Sequence, residues 1–306
     1  MISPPLLKSG NRISIVAPAG KVVKGSLAEA IKIIEAWGLE VCVGDNVYSE
    51  QHSYLAGTDE ERVADLQRAL DDPNCLAIFC ARGGYGITRI IDKLDFSKFI
   101  ESPKWIIGFS DITALHLRLN RLGCESLHAI MPLLFTKANA STSIESLQQL
   151  LFSPAGNLSV PANKFNKAGH ATGELIGGNL SIIADSIGTN SDPDTKGKIL
   201  FIEEIEEYKY KLDRMMTHLK RAGKLEELAG IVVGHMTDIL DTSNPFGEEV
   251  EEIILNSVRE YKFPVGFNFS SGHDFPNLAW RSGAKVKLDV THQKSRIEYF
   301  EDSLLI

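Results

Sequence analysis

Cysteine is scarce in this chain, and long apolar runs are absent. The cysteines form no CxxC pair, and each lies in an apolar or helical stretch typical of a reduced core thiol. No segment approaches the ~18 consecutive apolar residues of a membrane span, and the first residues lack the charged and apolar regions of a secretion signal. We therefore expect a cytoplasmic protein that does not enter a membrane. The cysteines are Cys42, Cys75, Cys80 and Cys124.

Basic residues are in the minority. Lys and Arg number 32 against 40 Asp and Glu, and the formal net charge of −8 disfavours binding to nucleic acid or to an anionic membrane. Apolar residues make up 43% and charged residues 24%, which is ordinary globular usage and excludes disorder and collagen-like repeats. The 306 residues correspond to two domains of roughly 150 residues. We expect a soluble protein whose partner is a small molecule.

Short β-rich segments alternate with helical patterns in the first half of the chain. Thr58 and Glu61 have the spacing of a capping box for a helix that reaches about Leu70. The alternation predicts a parallel sheet, whose ligands gather at the carboxyl ends of the strands. The predicted strands are 12–17, 39–43, 75–80 and 105–108, and the predicted helices are 26–37, 58–70 and 111–122.

The segment 153–169 separates two halves of the chain. It contains Ser, Pro, Asn, Gly and Lys without a sustained period, which is typical of a linker. We therefore predict an α/β fold with an N-terminal parallel-sheet domain of the flavodoxin or amidotransferase-like type at 1–152 and a C-terminal mixed α/β domain at 170–306. In the second half we expect a Gly-Gly-Asn turn at 177–179, helices at 180–186, 210–221 and 248–261, and strands at 199–202, 231–233, 284–288 and 295–300.

A serine stands between a predicted strand and a predicted helix, in the sequence Gly108-Phe109-Ser110-Asp111-Ile112-Thr113. A tight turn there would expose the Ser110 hydroxyl, as in a nucleophile elbow, and would aim the first free N–H groups of the helix at an oxyanion. Ser110 or Asp111 could instead simply cap the helix. The second glycine of a GxSxG motif is missing, since Ile112 stands there. Both interpretations remain open on the residues alone.

A serine nucleophile needs a base, and His273 is the histidine in the most suitable context. It lies in the turn-rich segment 271–277, and catalytic groups concentrate on loops held by a rigid scaffold. Glu203 ends an apolar run and could hold an imidazole in one tautomer, whereas Glu204 would point to the opposite face of the strand. The alternatives are that His273 is a structural histidine and that Glu203 belongs to a solvated acidic loop. The histidines at 52, 116, 128, 218 and 292 are interpreted as structural or solvated.

A glycine-rich turn, Arg82-Gly83-Gly84-Tyr85-Gly86, follows the predicted strand 75–80. It lacks the GxGxxG spacing and the GK[ST] of phosphate loops. A glycine pair suits any ligand that must approach backbone amides, an oxyanion included. The chain contains no HExxH motif and no paired Cys/His set, so we expect no metal and no cofactor.

Taken in order, these motifs resemble the L,D-carboxypeptidase family of serine peptidases, which includes muramoyltetrapeptide carboxypeptidases and microcin C immunity proteins. The resemblance runs nearly end to end, and six motifs in the right order are more specific than any one of them. The matching segments are 4–10 with 15–18, 82–86, 108–113, 177–180, 201–204 with Tyr210 and 213–215, and Gly272-His273 with Asn277.

The resemblance implies a catalytic triad. In it Ser110 is the nucleophile, His273 the general base and Glu203 the carboxylate that orients the histidine. The resemblance further implies an oxyanion hole made by the backbone N–H of Asp111 and one from the glycine turn, which we assign to Gly84.

Substrate-binding residues are predicted less directly. A free carboxylate on the substrate requires cationic or amide donors, and the candidates are Arg82, Gly83, Tyr85 and Arg281. The chain departs from the family where Glu-Glu replaces a common Glu-Asp at 203–204, and where Arg281 replaces a common proline. Neither departure touches the triad.

The implied reaction is hydrolysis of the amide between the L-centre of a diamino acid and a C-terminal D-alanine, as in murein tetrapeptide, through an acyl-enzyme. The first alternative is microcin C-type immunity, which cleaves an aminoacyl-nucleotide amide and for which Trp280 or Phe275 could stack a base. The second is a non-catalytic two-domain protein that closes over a small ligand. The resemblance also implies a homodimer.

Overall fold

The computed structural model describes residues 1–153 and 156–300 of the chain. In the first half, strands and helices alternate as predicted. The capping box is present, because Thr58 Oγ1 accepts a hydrogen bond from the Glu61 N–H at 3.2 Å and the Glu61 carboxylate accepts one from the Thr58 N–H at 2.8 Å. The strands are β1 Arg12–Val16, β2 Glu40–Val43, β3 Cys75–Cys80, β4 Trp105–Gly108 and β5 Ser126–His128, and the helices are α1 Ala28–Ala36, α2 Asp59–Asp71, α3 Ile87–Ile90, α4 Ser97–Glu101, α5 Thr113–Arg121 and α6 Ser141–Phe152.

The second half is also mixed α and β, as predicted. Each predicted strand and helix is present, with ends that differ by a few residues. The helices are α7 Leu180–Ser186, α8 Lys209–Arg221 and α9 Val250–Ser257, and the strands are β6 Leu158–Pro161, β7 Gly169–Asn179, β8 Ile199–Ile205, β9 Gly230–Thr237, β10 Val265–Gly266, β11 Trp280–Ser282, β12 Lys285–Val290 and β13 Lys294–Tyr299.

The first sheet has the strand order β11-β5-β4-β3-β1-β2. Strands β1 to β5 pair in parallel, in the flavodoxin-like order 2-1-3-4-5, and β11 adds an antiparallel edge strand to β5. The α/β prediction of a parallel N-terminal sheet is confirmed. The turns after β1, β3 and β4 therefore meet at one edge of this sheet.

The second sheet has the order β10-β9-β8-β7-β12-β13-β6. Strands β7 to β10 are parallel, and β12, β13 and β6 continue the sheet as antiparallel neighbours. The sheet is mixed, as expected for this half. The carboxyl ends of β7, β8 and β9 again lie at one edge.

Buried side chains cover both faces of the first sheet. In β3, Ala77 and Phe79 pack into one apolar cluster, and Ile78 and Cys80 pack into the cluster on the other face. Helices shield both faces of a parallel sheet from water, which explains the nearly continuous apolar sequence of β3. The buried Cys75, Cys80 and Cys124 lie among these core side chains as free thiols, whereas Cys42 is exposed.

The predicted linker 153–169 contains a strand of the second sheet. β6 pairs with β13, and its Leu158 and Val160 side chains are buried while Ser159 and Pro161 are exposed. Four residues are too few to give a recognisable alternation, and the Pro and Asn around them indicate a loop. The prediction of a linker without regular structure was therefore wrong at 158–161.

The predicted Gly-Gly-Asn turn is instead the end of strand β7. A Cβ atom at Gly177 would overlap the Phe201 carbonyl of β8, and one at Gly178 would overlap the Thr113 side chain of α5. Both glycines have positive φ. They are required for close packing of β7 against its neighbours, and Asn179 then caps α7 through a hydrogen bond from the Ile182 N–H at 3.2 Å.

The two halves are joined by more than the connecting chain. β11 comes from the second half but belongs to the first sheet, and the Asn179 N–H donates to Thr113 Oγ1 at 3.0 Å. Within the described ranges, no helix combines the length and the hydropathy of a bilayer-crossing segment.

Candidate active site

Ser110 lies in a strained turn between β4 and α5. Its φ of 63° is in the left-handed region, and a 3₁₀ helix from Ser110 to Ile112 leads directly into α5. Such a φ is unfavourable for a residue with a Cβ atom and persists only where the surroundings enforce it. The side chain is partly exposed. The local geometry is that of a nucleophile elbow.

His116 holds the strand that precedes this turn. Its Nε2 donates to the Gly108 carbonyl at 2.9 Å, so its Nδ1 accepts from the Ser126 hydroxyl at 2.8 Å. Burial lowers the pKa of His116 to about 4, although the hydrogen bond to Gly108 opposes the change. The neutral ring therefore fixes the end of β4 against β5.

His273 and Glu203 form a direct pair. His273 Nδ1 and Glu203 Oε2 are 2.7 Å apart, and the two side chains are 13% and 0% exposed. Burial lowers the pKa of His273, but the Glu203 hydrogen bond and charge, with smaller effects of Glu204 and Glu206, raise it above its ordinary value overall. Because Nδ1 donates to the carboxylate, Nε2 remains available to accept a proton.

Glu204 points to the other face of β8. Its Oε1 accepts from the Asn179 amide at 2.8 Å, and its Oε2 accepts from the Ser181 hydroxyl at 2.7 Å. The expectation that only one of the two adjacent glutamates reaches a given histidine is confirmed. Glu204 instead joins β8 to the start of α7.

Hydrogen bonds hold the loop that carries His273. The Gly272 N–H donates to Asn277 Oδ1 at 3.1 Å, and the Asp274 N–H donates to His235 Nδ1 at 3.2 Å. His235 lies near the carboxyl end of β9, and sequence analysis did not identify it. The sequence feature that could have identified His235 was its position after the apolar run 231–233.

The turn that carries Ser110 contacts the loop that carries His273 through an aromatic side chain. The Phe109 and His273 rings are 4.8 Å apart, edge to face. Among the described residues, no hydrogen bond joins Ser110 to His273. Catalytic hydrogen bonds are often long before substrate binds, so this apo geometry is compatible with a Ser-His pair.

The glycine turn packs directly against Ser110. A Cβ atom at Gly83 would lie 3.0 Å from Ser110 Cβ, which is tighter than most contacts of real Cβ atoms. The Gly20 N–H donates to the Gly83 carbonyl at 3.1 Å. In a trans peptide the carbonyl and the next N–H point in opposite directions, so the Gly84 N–H points away from Gly20. Gly83 therefore adjoins the serine.

The remaining predicted binding residues differ in accessibility. Arg82 is half-buried and donates to the Lys21 carbonyl at 2.9 Å, and Tyr85 is 46% exposed. Arg281 is only 2% exposed, and its guanidinium lies over the Trp105 and Tyr299 rings.

Two predicted contacts with substrate are not available in this structure. Arg281 belongs to β11 and its side chain is buried, so a substrate carboxylate cannot reach it, and the structure does not bring it into the site. Trp280 is fully buried and stacks on His128 at 4.9 Å, which leaves no free ring face for a nucleotide base. Phe275 is partly buried and packs against the first-sheet core.

A polar cavity of about 410 Å³ adjoins the His273 loop. It lies at the carboxyl ends of β9 and β10, and its lining includes His235, Asp238, Glu251, Asn268 and Asp274. Over residues 1–153 and 156–300, no group of three or more His, Cys, Asp or Glu side chains could hold a metal ion.

Comparison with known proteins gives a consistent result over the whole chain. Residues 13–129 match the LD-carboxypeptidase N-terminal domain, and residues 172–288 match the LD-carboxypeptidase C-terminal domain. A probable murein peptide carboxypeptidase of Bacillus subtilis is 33% identical, with 96% of this chain and 94% of the relative covered. A murein tetrapeptide carboxypeptidase of Pseudomonas aeruginosa is 30% identical, with 91% and 93% covered.

Solved structures have the same fold. The crystal structure of muramoyltetrapeptide carboxypeptidase from Oxalobacter formigenes has a TM-score of 0.84 and 28% identity, with 94% of this chain and 99% of that chain covered. The microcin C7 self-immunity protein in complex with aspartyl sulfamoyl adenosine has a TM-score of 0.85, with 98% and 99% covered, but only 20% identity, which supports the fold alone. The chain therefore belongs to the LD-carboxypeptidase family of serine-type peptidases.

Proposed function

We propose that this enzyme hydrolyses the amide between the L-centre of a diamino acid and the C-terminal D-alanine of a murein tetrapeptide. The observation that carries the proposal is the 2.7 Å pair of His273 and Glu203, which contacts the turn that carries Ser110. The relatives named as murein peptide carboxypeptidases support the substrate class. A non-catalytic binding role is not supported, since the family is one of peptidases.

Ser110 is the nucleophile in this proposal, and His273 is its base. Nε2 of His273 takes the hydroxyl proton as Ser110 Oγ attacks the carbonyl carbon, and Glu203 stabilises the imidazolium that forms. Collapse of the tetrahedral intermediate breaks the C–N bond, and His273 passes the proton to the departing D-alanine amine. A water molecule, activated by the same histidine, then hydrolyses the acyl-enzyme.

The oxyanion forms between two backbone donors. The Asp111 N–H lies in the first turn of the helix, where N–H groups have no intrahelical acceptor. The Gly84 N–H is the second donor, since the Gly83 carbonyl is held by Gly20 on the opposite side of that peptide. Two such donors in a partly buried site stabilise the charge that develops on the substrate oxygen.

Arg82 is the candidate partner of the D-alanine carboxylate. It is half-buried beside the glycine turn, and its guanidinium has donors beyond the one bound to Lys21. Gly83 would allow the substrate backbone to approach, and Tyr85 would lie at the rim. Arg281 is excluded from this role by its burial.

Release of free D-alanine from a murein tetrapeptide tests the proposal. We expect turnover by the wild-type protein and none above background by Ser110→Ala. A serine-directed phosphonate should add its mass to the wild type and not to this variant. A wild-type protein that releases no D-alanine but cleaves an aminoacyl sulfamoyl adenosine would contradict the substrate assignment and favour the microcin C-type activity.

The homodimer stays a prediction from the resemblance, and the cytoplasmic location stays a prediction from the sequence. Light scattering during size-exclusion chromatography tests the first, and cell fractionation tests the second. A monomeric mass at assay concentrations would contradict the dimer without affecting the proposed reaction.

A further inference from the structure

Asp111 carries a buried carboxyl group that the proposed reaction does not use. The residue is 1% exposed and follows Ser110 directly. Only its backbone N–H has a role in the proposed oxyanion hole. A buried carboxylate is energetically costly unless its hydrogen bonds serve the structure around it. The partners of this side chain therefore indicate what it does.

The Asp111 side chain contacts the residue that follows the glycine turn. Its Oδ2 accepts a hydrogen bond from the Ile87 N–H at 2.9 Å. Ile87 is the first residue of α3, which begins directly after Gly86, the last residue of the turn 82–86. No side-chain cap from the turn itself serves this helix. Asp111 thus lies in the turn that carries Ser110, which is called the nucleophile turn below, and its side chain also holds the first residue after the glycine turn.

A second contact holds the last residue of the turn. The buried Arg62 of α2 donates to the Gly86 carbonyl at 2.8 Å and to the Pro18 carbonyl at 2.7 Å. Arg62 fixes the turn to the N-terminal sheet, but it does not touch Ser110. The Asp111–Ile87 hydrogen bond is therefore a direct polar link between the nucleophile turn and the glycine turn.

We propose that the Asp111 side chain is a positioning residue, which holds the Gly84 N–H in register with the Asp111 N–H so that both donors reach one oxyanion. The inference rests on the proposed function for the identity of those donors. A shift of the glycine turn by a fraction of an ångström would separate them, since hydrogen bonds weaken steeply with distance and angle. The side chain acts through Ile87, not on the substrate.

The charge of Asp111 makes this link dependent on pH. Burial raises the pKa of Asp111 to about 6, while the Ile87 hydrogen bond and Arg62 oppose the change and Asp185 adds to it. The buried thiol of Cys80 also faces the carboxylate. Among the described residues, no donor reaches Oδ1, which adds to the cost of the charged form. A carboxylate accepts a stronger hydrogen bond than a neutral carboxyl, so the link weakens as the pH falls through this range.

Two variants at this position separate the hydrogen bond from the charge. Asp111→Ala removes the acceptor, and we expect the rate of phosphonate labelling at Ser110 and the kcat for D-alanine release to fall about 10²-fold, with KM little changed. Asp111→Asn keeps an oxygen acceptor and should recover most of that loss. In the wild type, we expect the pH profile of kcat/KM to depend on two protons on its acid side, one from Asp111 and one from His273. Asp111→Asn should remove the dependence on the Asp111 proton and keep the one that belongs to His273.

Thr113→Val is the matched control. It removes a buried oxygen that accepts a backbone hydrogen bond, as Asp111→Ala does, but at a contact with Asn179 and not with the glycine turn. We expect Thr113→Val to lower the midpoint of thermal unfolding, and we expect the acid side of its pH profile of kcat/KM still to depend on two protons. Thermal denaturation of all three variants shows how much of each effect comes from lost stability.

Each result has a defined meaning. The inference is wrong if folded Asp111→Ala is labelled by the phosphonate at the wild-type rate. It is also wrong if the acid side of the Asp111→Asn pH profile still depends on two protons, or if Thr113→Val lowers the labelling rate and kcat as much as Asp111→Ala does. If Asp111→Ala does not fold, the pH profile of kcat/KM for Asp111→Asn tests the inference on its own. A wild-type protein that labels at Ser110 but releases no D-alanine contradicts only the substrate, and the labelling rates still test Asp111. Absence of labelling in the wild type overturns both proposals.

Discussion

In the proposed reaction, Glu203 controls how readily His273 acts as a base. The carboxylate raises the pKa of the imidazole against the effect of burial, and it fixes Nδ1 as a donor. In the proposed reaction His273 must be neutral before attack, so activity falls as the pH drops through the raised pKa of this histidine. Position and protonation thus depend on one hydrogen bond.

We expect Glu203→Gln to lower kcat by roughly 10²–10⁴-fold, because the tautomer and the imidazolium both lose their support. The acid limb that belongs to His273 should move to lower pH, since the amide no longer raises its pKa. Measurement of kcat and of kcat/KM for D-alanine release as functions of pH checks both effects. An unchanged acid limb would contradict the role given to Glu203.

The same pair makes stability depend on pH. The folded-state pKa of His273 lies above its unfolded value of about 6.5, so its contribution to the free energy of unfolding is fully present below pH 6.5 and is lost as the pH rises through the folded pKa. We expect the wild type to lose its advantage over His273→Gln as the pH rises above about 6.5 and through the raised pKa of His273. Urea unfolding of both proteins across this range measures the difference, and a constant difference would disprove the linkage.

The sequence predicted the placement of some side chains and not of others. Ser110 lies at a strand-to-helix turn as expected, since local pattern determines such turns. Arg281 was wrongly expected at the substrate rim, because charged side chains are usually exposed and nothing local indicates its contacts with Trp105 and Tyr299. His235 was missed for the same reason, since its partner Asp274 is remote in sequence.

Among the elements, β7 packs closely against its neighbours through two glycines. Gly178 has a φ of 142° and faces the Thr113 side chain of α5, whereas Gly25 has a φ of 84° with open space around it. We expect Gly25→Ala to lower the free energy of unfolding by about 1–2 kcal/mol through backbone strain alone. Gly178→Ala should lower it by roughly 1–3 kcal/mol more, because its methyl group meets Thr113. Chemical denaturation of both variants checks this, and equal losses would show that the close contact is unimportant.

Some strands were predictable from local pattern, and others were not. β3 and β4 have continuous apolar sequences, and Ile13, Ile15 and Val16 of β1 are apolar and buried, so the existence of these strands follows from local pattern. β6 has four residues, and the first half of β7 has exposed polar side chains. β11 is defined only by its pairing with β5, some 150 residues earlier in the chain, which no local pattern records. These elements depend on partners that the sequence alone does not identify.

At the scale of the whole molecule, the two sheets depend on each other. β11 completes the edge of the first sheet next to β5, and the fully buried Trp280 on it stacks on His128 and contacts Phe201 of β8. The proposed triad likewise takes Ser110 from the first half and its partners from the second. We therefore expect one cooperative thermal transition for the full chain, not one for each sheet.

Residues 1–152 expressed alone test this dependence. This fragment lacks β11, so the edge of β5 and the apolar surface under Trp280 become exposed to water, and exposed edges of this kind promote aggregation. We expect the fragment to be poorly soluble and Ser110 in it to resist phosphonate labelling. Adding back β11 alone, as a fusion of 1–152 to 278–284 through a flexible linker, should improve solubility without restoring labelling, because Glu203 and His273 remain absent. A soluble, cooperatively folding 1–152 fragment would contradict the role assigned to β11, and labelling of Ser110 in either fragment would contradict the proposed triad.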